Sequence, residues 1–320
     1  MKVKFPSYMK SCNYYWYFLR SLYNTPGILI EELPGKPLFT QFVAPIKIEN
    51  QDCILDVRDD IGLPLPELKN YPDALIFKSN YSSELWDNPP ATFEYPITEE
   101  ERKFRNLVRP FIYGRAMNLN YDVDEIEHFQ KAIKPIKHIL ISYSGDGVYK
   151  QQTENRLKVY HMIKSILGRE AELVWFPRTH FLDKEKFTDY DMQVKPYLRN
   201  LDGMWGSYHR YLSFLSQGRF SLNFPGIACS QPFRLIDGVF ANRAVVSTKI
   251  YTDIYKNFPY IEIPVCGYFG TGDWELAKKT IDFLAGVDET EILKQMRQWY
   301  DFYLSANGMW TNQILKGLTK

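Results

Sequence analysis

The run Arg219–Ser247, RFSLNFPGIACSQPFRLIDGVFANRAVVS, carries the residue types with the clearest chemical use in this chain. A buried-strand pattern ends at Phe224, and Pro225 and Gly226 turn the chain toward a helix. Ser230 is a residue type that caps helices, and Pro232 suits a first helical turn. A helix start offers free N–H groups to a phosphate, and Arg234 in that turn can add a charge-assisted bond to a diphosphate. Asp237 follows at i+3, on the same face, where a carboxylate can accept from two ribose hydroxyls. An Arg–Asp pair at this spacing is equally an ordinary feature of a solvated helix.

A second set of acidic residues, Asp56, Asp59 and Asp60 in LDVRDD, follows the strand pattern Cys53–Val57. Attack by an acceptor hydroxyl needs a base to take its proton. No histidine precedes His128, so a base in the first third of the chain must be a carboxylate. Two other readings stay open for these residues: a polar exit from a strand, and an Asp-x-Asp-like holder of a divalent metal on a diphosphate. Ser144-Gly145-Asp146-Gly147 follows another strand pattern, where glycines allow backbone to approach a phosphate. Arg178, after Phe176-Pro177, has the reach to join that end of the sheet. Tyr8, Tyr143 and Trp205 are candidates for stacking on a sugar or base. Arg102, Lys103, Arg105 and Arg109 offer either a solvated helix face or a peripheral contact to anionic lipid.

The elements that must position these residues follow from pattern. Val3–Phe5, Ile28–Glu32, Phe39–Val43, Cys53–Val57 and Ala74–Phe77 read as strands, and Asn13–Tyr23 as a helix. Ser82-Ser83 caps a short helix, and Thr98 with Glu101 forms a capping box before Phe104, Leu107 and Val108. From residue 138 the alternation is cleaner. Strands at His138–Tyr143, Glu172–Phe176, Phe220–Phe224 and Ala244–Ser247 intersperse with helices at Glu154–Leu167, Gly206–Ser216, Pro232–Phe240 and Trp274–Leu284. Near-continuous apolar strands alternating with helices imply a doubly wound sheet buried on both faces. Glu289–Leu318 is helical in pattern. The expected division is an α/β domain over 1–125, a second over 136–288, and a helical segment over 289–320.

Composition narrows the function classes. Forty-five per cent hydrophobic and 24% charged residues in a chain of 320 residues describe a globular protein with real cores. Thirty-nine basic against 38 acidic residues give a formal charge of +1, without the basic excess of a nucleic-acid binder. The four scattered cysteines, and the absence of any apolar run of membrane-spanning length, favour a cytoplasmic protein. The histidines form no metal-ligand spacing, and no HExxH, nucleophile-elbow or Walker motif occurs.

The order strand, Pro-Gly loop, polar residues, Arg-x-x-Asp-Gly-x-x-Ala, then Ala-Val-Val-Ser resembles the donor-binding half of glycosyltransferases with the GT-B fold, and is closest to the exostosin-like group. The resemblance is specific over about thirty residues and looser over 136–285. It implies two Rossmann-like α/β lobes facing a cleft, with the C-terminal helix packing back on the first lobe. It further implies a nucleotide diphosphate sugar as donor, with Arg234 on the diphosphate, Asp237 on the ribose, and Gly226, Ser230 and Gln231 at the phosphate end. Ser144, Gly145 and Arg178 would complete the donor site, and Asp59, Asp60 or Asp56 would act as base toward a glycan or lipid-linked acceptor. The family's acid is usually Glu where Asp237 stands, and many retaining members carry a second Glu at the position of Ser230. The resemblance therefore points to inverting transfer without metal or other cofactor. A catalytically silent nucleotide-sugar or carbohydrate-binding protein, and a nucleotide-sugar epimerase, are the alternatives.

Overall fold

A computed structural model describes residues 1–91, 93, 95–113, 134–135, 138–147, 149–176, 193–198, 208–226, 229–230 and 234–319. The chain divides into two compact units. The first comprises Met1–Asn120, Tyr251–Phe258 and Gln298–Lys320, and the second Tyr121–Ile250 and Pro259–Arg297. Each holds one sheet with helices, so both are α/β.

The sheet of the first unit contains β1 (Lys2–Pro6), β2 (Leu29–Leu33), β3 (Val43–Ile48), β4 (Gln51–Asp56), β5 (Leu75–Lys78) and β6 (Val108–Pro110) in the order β2-β1-β3-β4-β5-β6. β3 runs antiparallel to both neighbours, and every other pairing is parallel. The carboxyl ends of β1, β4, β5 and β6 therefore share one edge, which gathers Asp56, Lys78 and the residues that follow them. α1 (Trp16–Asn24) buries Tyr17, Phe18, Leu19 and Leu22.

Two expectations are corrected here. The strand anticipated over Phe39–Val43 starts where that range ends, at Val43. Phe39 is exposed, whereas Val43, Ala44, Ile46 and Ile48 are buried. Lys47 interrupts the apolar pattern but meets Asp52 across the hairpin at 3.4 Å. The Thr98–Glu101 capping box forms, yet its helix lasts only Glu99–Arg102. Val108 is drawn into the sheet by pairing with Ile76, so sheet pairing wins over helix continuation. Arg102, Arg105 and Arg109 consequently do not share a helix face. Arg102 pairs with Glu99 and Arg105 with Asp87, while Arg109 on β6 donates to the Gly317 carbonyl at 2.9 Å.

The C-terminal segment of this unit is held by specific contacts. Gln313 accepts from the Ile112 amide at 2.7 Å and donates to the Tyr303 carbonyl at 2.6 Å. Trp299 stacks on Tyr255 at 5.4 Å.

The second unit carries β7 (His138–Gly145), β8 (Ala171–Phe176), β9 (Gly218–Asn223), β10 (Ala244–Thr248) and β11 (Ile261–Ile263). The order is β11-β10-β9-β7-β8 and every pairing is parallel. Its helices are α2 (Lys150–Leu167), α3 (Tyr208–Leu215), α4 (Arg234–Phe240), α5 (Trp274–Phe283) and the first half of α6 (Thr290–Tyr303). Leu140, Leu157, Tyr160, Ile163, Leu173, Trp175, Phe220, Leu222 and Val246 form its core. Tyr160 of α2 bonds Ser142 at 2.7 Å on one face of β7. On the other face α4 lies so close that a Cβ on Gly238 would fall 2.4 Å from Val245 and 2.9 Å from Ser221. The doubly wound sheet read from the apolar strands is thus present. Among the described residues, no helix is long and apolar enough to cross a membrane.

Candidate functional site

In the second unit the direction of strand addition reverses at β7, which has β8 on one side and β9 on the other. In open α/β sheets the crevice outside the carboxyl ends of two such strands is where ligands bind. β7 ends with Ser144 and Gly145, the loop after it begins with Asp146 and Gly147, and the loop after β9 contains Phe224, Pro225, Gly226 and Ser230. These sequence-derived candidates therefore meet at one place. Arg178 and Gln231 lie outside the described residues, as do Trp205 and the Pro232 of the anticipated first turn.

What joins the two loops is a row of polar side chains on the first turns of α2. Arg156 donates from Nη1 to the Gly145 carbonyl at 2.9 Å and from Nη2 to the Pro225 carbonyl at 2.5 Å. Gln152 donates to the Gly226 carbonyl at 2.8 Å, and the Gly147 amide donates to Thr153 Oγ1 at 2.8 Å. Asn155 extends the row to the segment after β11, donating to the Tyr268 carbonyl at 2.8 Å. Gln152, Thr153 and Arg156 are all buried. The sequence pattern starts this helix at Glu154, which leaves Gln152 and Thr153 outside it and gives Arg156 no role. A signal was available: Thr153, Arg156, Leu157, Tyr160 and Ile163 recur at helical spacing, so these polar residues continue the buried apolar stripe.

The glycines acquire a different account from the one expected. A Cβ on Gly147 would fall 2.3 Å from Gln152 Oε1, and the Gly147 amide is already engaged by Thr153. Its glycine character thus serves close packing on α2 instead of an approach to phosphate. A Cβ on Gly226 would fall 2.5 Å from Ser230 Oγ, and the Gly226 amide donates to the Ser230 carbonyl at 2.6 Å. Gly226 and Ser230 close one tight loop.

Arg156 and Arg234 bring positive charge to this end, and the buried Asp146 and Asp237 bring negative charge. Burial pushes the Tyr160 phenol up, while Ser142, Arg234 and Arg156 pull it back. Both guanidinium groups therefore act on the same buried hydroxyl. Arg234 Nε and Ser144 Oγ are buried and find no hydrogen-bond partner among the described residues. A buried donor without a partner costs roughly 1–3 kcal/mol, more for a charged group, so such groups call for an explanation. Asp237 is buried on α4, one turn from Arg234. Tyr143, half-buried on β7, packs edge-on to Tyr211 at 5.5 Å.

In the first unit the three aspartates occupy different environments. Asp56 and Lys78 are both fully buried, 3.1 Å apart, at the ends of β4 and β5. Arg58 binds Asp56 through two side-chain bonds, at 3.0 Å and 2.9 Å. Burial would raise the Asp56 carboxyl, but Arg58 and Lys78 hold it below the usual carboxylate range. A carboxylate so enclosed is a poor proton acceptor. Asp60 is partly exposed and shares the same cations, 3.3 Å from Arg58 and 3.8 Å from Lys78. Asp59 is exposed and accepts from the Tyr113 hydroxyl at 3.3 Å. Two cations interleaved with the carboxylates also oppose a divalent metal, and no ligand set of three gathers among the described residues. The Tyr8 hydroxyl donates to the carbonyl of Val43, the residue paired with Asp56 between β3 and β4, at 2.7 Å.

No family model matches the chain, and no curated protein matches it. Among solved structures it is similar to the N-terminal domain of Candida albicans trehalose-6-phosphate phosphatase, with 14% identity and a TM-score of 0.45 over 97% of this chain and 74% of that one. An Escherichia coli trehalose-6-phosphate structure bound with UDP-2-fluoro glucose gives 12% identity and a TM-score of 0.47, over 80% of this chain and 70% of that one. The pneumococcal O-GlcNAc transferase GtfA, in complex with UDP and GlcNAc, gives 10% and 0.42, over 88% and 66%. The strand pairing described above, independently of these likenesses, establishes two α/β units.

Proposed function

We propose that this chain is a glycosyltransferase that binds a nucleotide diphosphate sugar at the carboxyl edge of the second unit's sheet and passes the sugar to a hydroxyl acceptor. The observation that carries the reading is the buried Arg234 Nε, which lacks a partner among the described residues at the switch point of a parallel sheet. A diphosphate supplies the acceptor atoms that guanidinium needs, and Arg156 adds positive charge beside it. Asp237 takes the ribose hydroxyls, and Ser144, Gly226 and Ser230, with Gln231 and Arg178, complete the donor site.

Asp59 is the favoured base, with Asp60 as its neighbour, and Asp56 becomes the residue that holds Arg58 and Lys78 in place. In the transfer, Asp59 takes the proton of the acceptor hydroxyl while its oxygen bonds to the anomeric carbon. The bond from that carbon to the diphosphate breaks, and Arg234 receives the charge on the departing oxygen. Single displacement inverts the anomeric centre, in keeping with Ser230 where a retaining enzyme would carry an acid. The motif Arg-x-x-Asp-Gly-x-x-Ala resembles the exostosin-like group, which supports this reading.

A thermal-shift panel of nucleosides, nucleoside diphosphates and nucleotide sugars tests this reading. Ligands that bind only the native state raise apparent stability, by about 2.7 kcal/mol at a hundredfold excess over Kd. At least one nucleotide sugar is expected to raise the midpoint more than its nucleoside does. A panel with no shift would reject the proposal.

A further inference from the structure

The carboxyl edge of the first unit's sheet has cations, but they are consumed. Among the described residues of the strand ends and loops after β4, β5 and β6, the only cationic side chains besides Arg109 are Arg58 and Lys78. Lys78 is fully buried against Asp56, Arg58 grips Asp56 and reaches Asp60, and Arg109 is turned onto backbone carbonyls. Asp59 is exposed at this edge, and Asp60 and Arg58 are partly exposed, so a ligand arriving there meets two carboxylates and a single guanidinium that is already paired with Asp56 and Asp60.

The same edge is rich in neutral hydrogen-bonding groups and aromatic rings. Ser79 follows Lys78, its amide bonded to the Asp56 carbonyl at 3.0 Å. The Ser79 hydroxyl is 1% exposed and has no partner among the described residues. The Tyr15 hydroxyl is equally buried and unpartnered, within electrostatic reach of Asp56 and Glu67. Tyr113, which donates to Asp59, packs 5.5 Å from Tyr14, and Tyr14 packs edge-on to Phe42 at 5.2 Å. Tyr14 and Phe42 are half-buried, leaving part of each ring open beside the exposed carboxylate.

We infer that the acceptor bound by this edge is an uncharged saccharide and not a phosphate-bearing one. A sugar offers hydroxyls that carboxylates accept from and apolar ring faces that aromatic side chains cover. A phosphate brings two negative charges to a place whose cations are already neutralised. The inference rests on the glycosyl-transfer reading for the word acceptor, while the charge selectivity stands on the first unit alone.

The experiment compares matched pairs by saturation-transfer NMR: glucose with glucose 6-phosphate, N-acetylglucosamine with its 6-phosphate, and the neutral disaccharides maltose, cellobiose and chitobiose. At least one neutral sugar is expected to bind, and each phosphorylated partner at least tenfold more weakly. Tyr14→Ala should weaken the neutral sugar at least tenfold, and Tyr14→Phe should restore it. Asp59→Lys should narrow or reverse the preference against phosphate. Far-ultraviolet circular dichroism confirms that each variant is folded. Tighter binding of a sugar phosphate by the parent, no binding of any sugar, or full binding by folded Tyr14→Ala would overturn the inference. Nucleotide-sugar binding is measured separately by calorimetry. A protein that binds neutral sugars but no nucleotide sugar would keep this inference and lose the transfer reading.

Discussion

Arg156 donates from Nη2 to the Pro225 carbonyl at 2.5 Å, fastening the loop after β9 to the first turns of α2. Through its other terminal nitrogen it holds the loop after β7. Removing it by Arg156→Met would leave two buried carbonyls without that donor. A hydrogen bond to a charged group contributes about 1.5–3 kcal/mol, so urea denaturation should show a loss of at least that size. Nucleotide-sugar affinity should fall as well, because both loops of the donor site lose their tether. A variant with parental stability would show that the two loops are held by something else.

Asp56 and Glu67 should respond to pH with opposite signs. Asp56 titrates below its unfolded value because of Arg58 and Lys78. Its contribution is therefore complete above the unfolded carboxylate value of roughly 4 and is lost as pH falls toward its lower folded value. Asp56→Asn should cost about 3–5 kcal/mol at pH 7, the cost of breaking a buried ion pair, and should flatten the acid limb of the stability curve.

Glu67 is buried, and burial raises its carboxyl. Its contribution is complete below the unfolded value of about 4.3 and is lost as pH rises through the higher folded value. Glu67→Gln should therefore stabilise the protein at pH 7 and change little at pH 4. Urea midpoints at pH 4, 5.5 and 7 check both variants, and a destabilised Glu67→Gln at pH 7 would contradict this assignment.

Gly238 separates packing from binding within the motif. A Cβ there would fall 2.4 Å from Val245 and 2.9 Å from Ser221. Overpacking of this kind costs roughly 1–3 kcal/mol, so Gly238→Ala should lower the unfolding midpoint. Equal stability in differential scanning calorimetry would mean that α4 has room to shift.

The second unit was legible because its strands are apolar on both faces and its helices are not. His138–Tyr143 and Ala244–Ser247 announce a parallel sheet, and a parallel sheet has its ligand site at one edge. The first unit was harder to read. β3 contains Pro45 and Lys47, and the brief β6 follows a capping box that signals helix. β3 exists because it closes a hairpin onto Gln51–Asp56 and pairs on its other side with Lys2–Pro6, and β6 because it adds to Leu75–Lys78, far earlier in the chain. Within the candidate site, the sequence suggested residues on α4, at the end of β7 and on the loop after β9, and no side chain of α2. Gln152 and Arg156 are polar side chains on a buried stripe, and only the loop carbonyls they meet explain them. The roles of Gly147 and Asp56 were likewise hidden, since close approach and ion pairing are set by neighbours far along the chain.

Calorimetric titration of a nucleotide sugar into the parent protein and Arg234→Ala tests the central claim most directly. The parent is expected to bind, and Arg234→Ala to bind about ten- to a hundredfold more weakly, the loss of one charge-assisted hydrogen bond. The corresponding nucleoside, which has no phosphate, should lose much less. Equal affinity of the two proteins for the nucleotide sugar would contradict the assignment of Arg234 to the diphosphate, and with it the donor site.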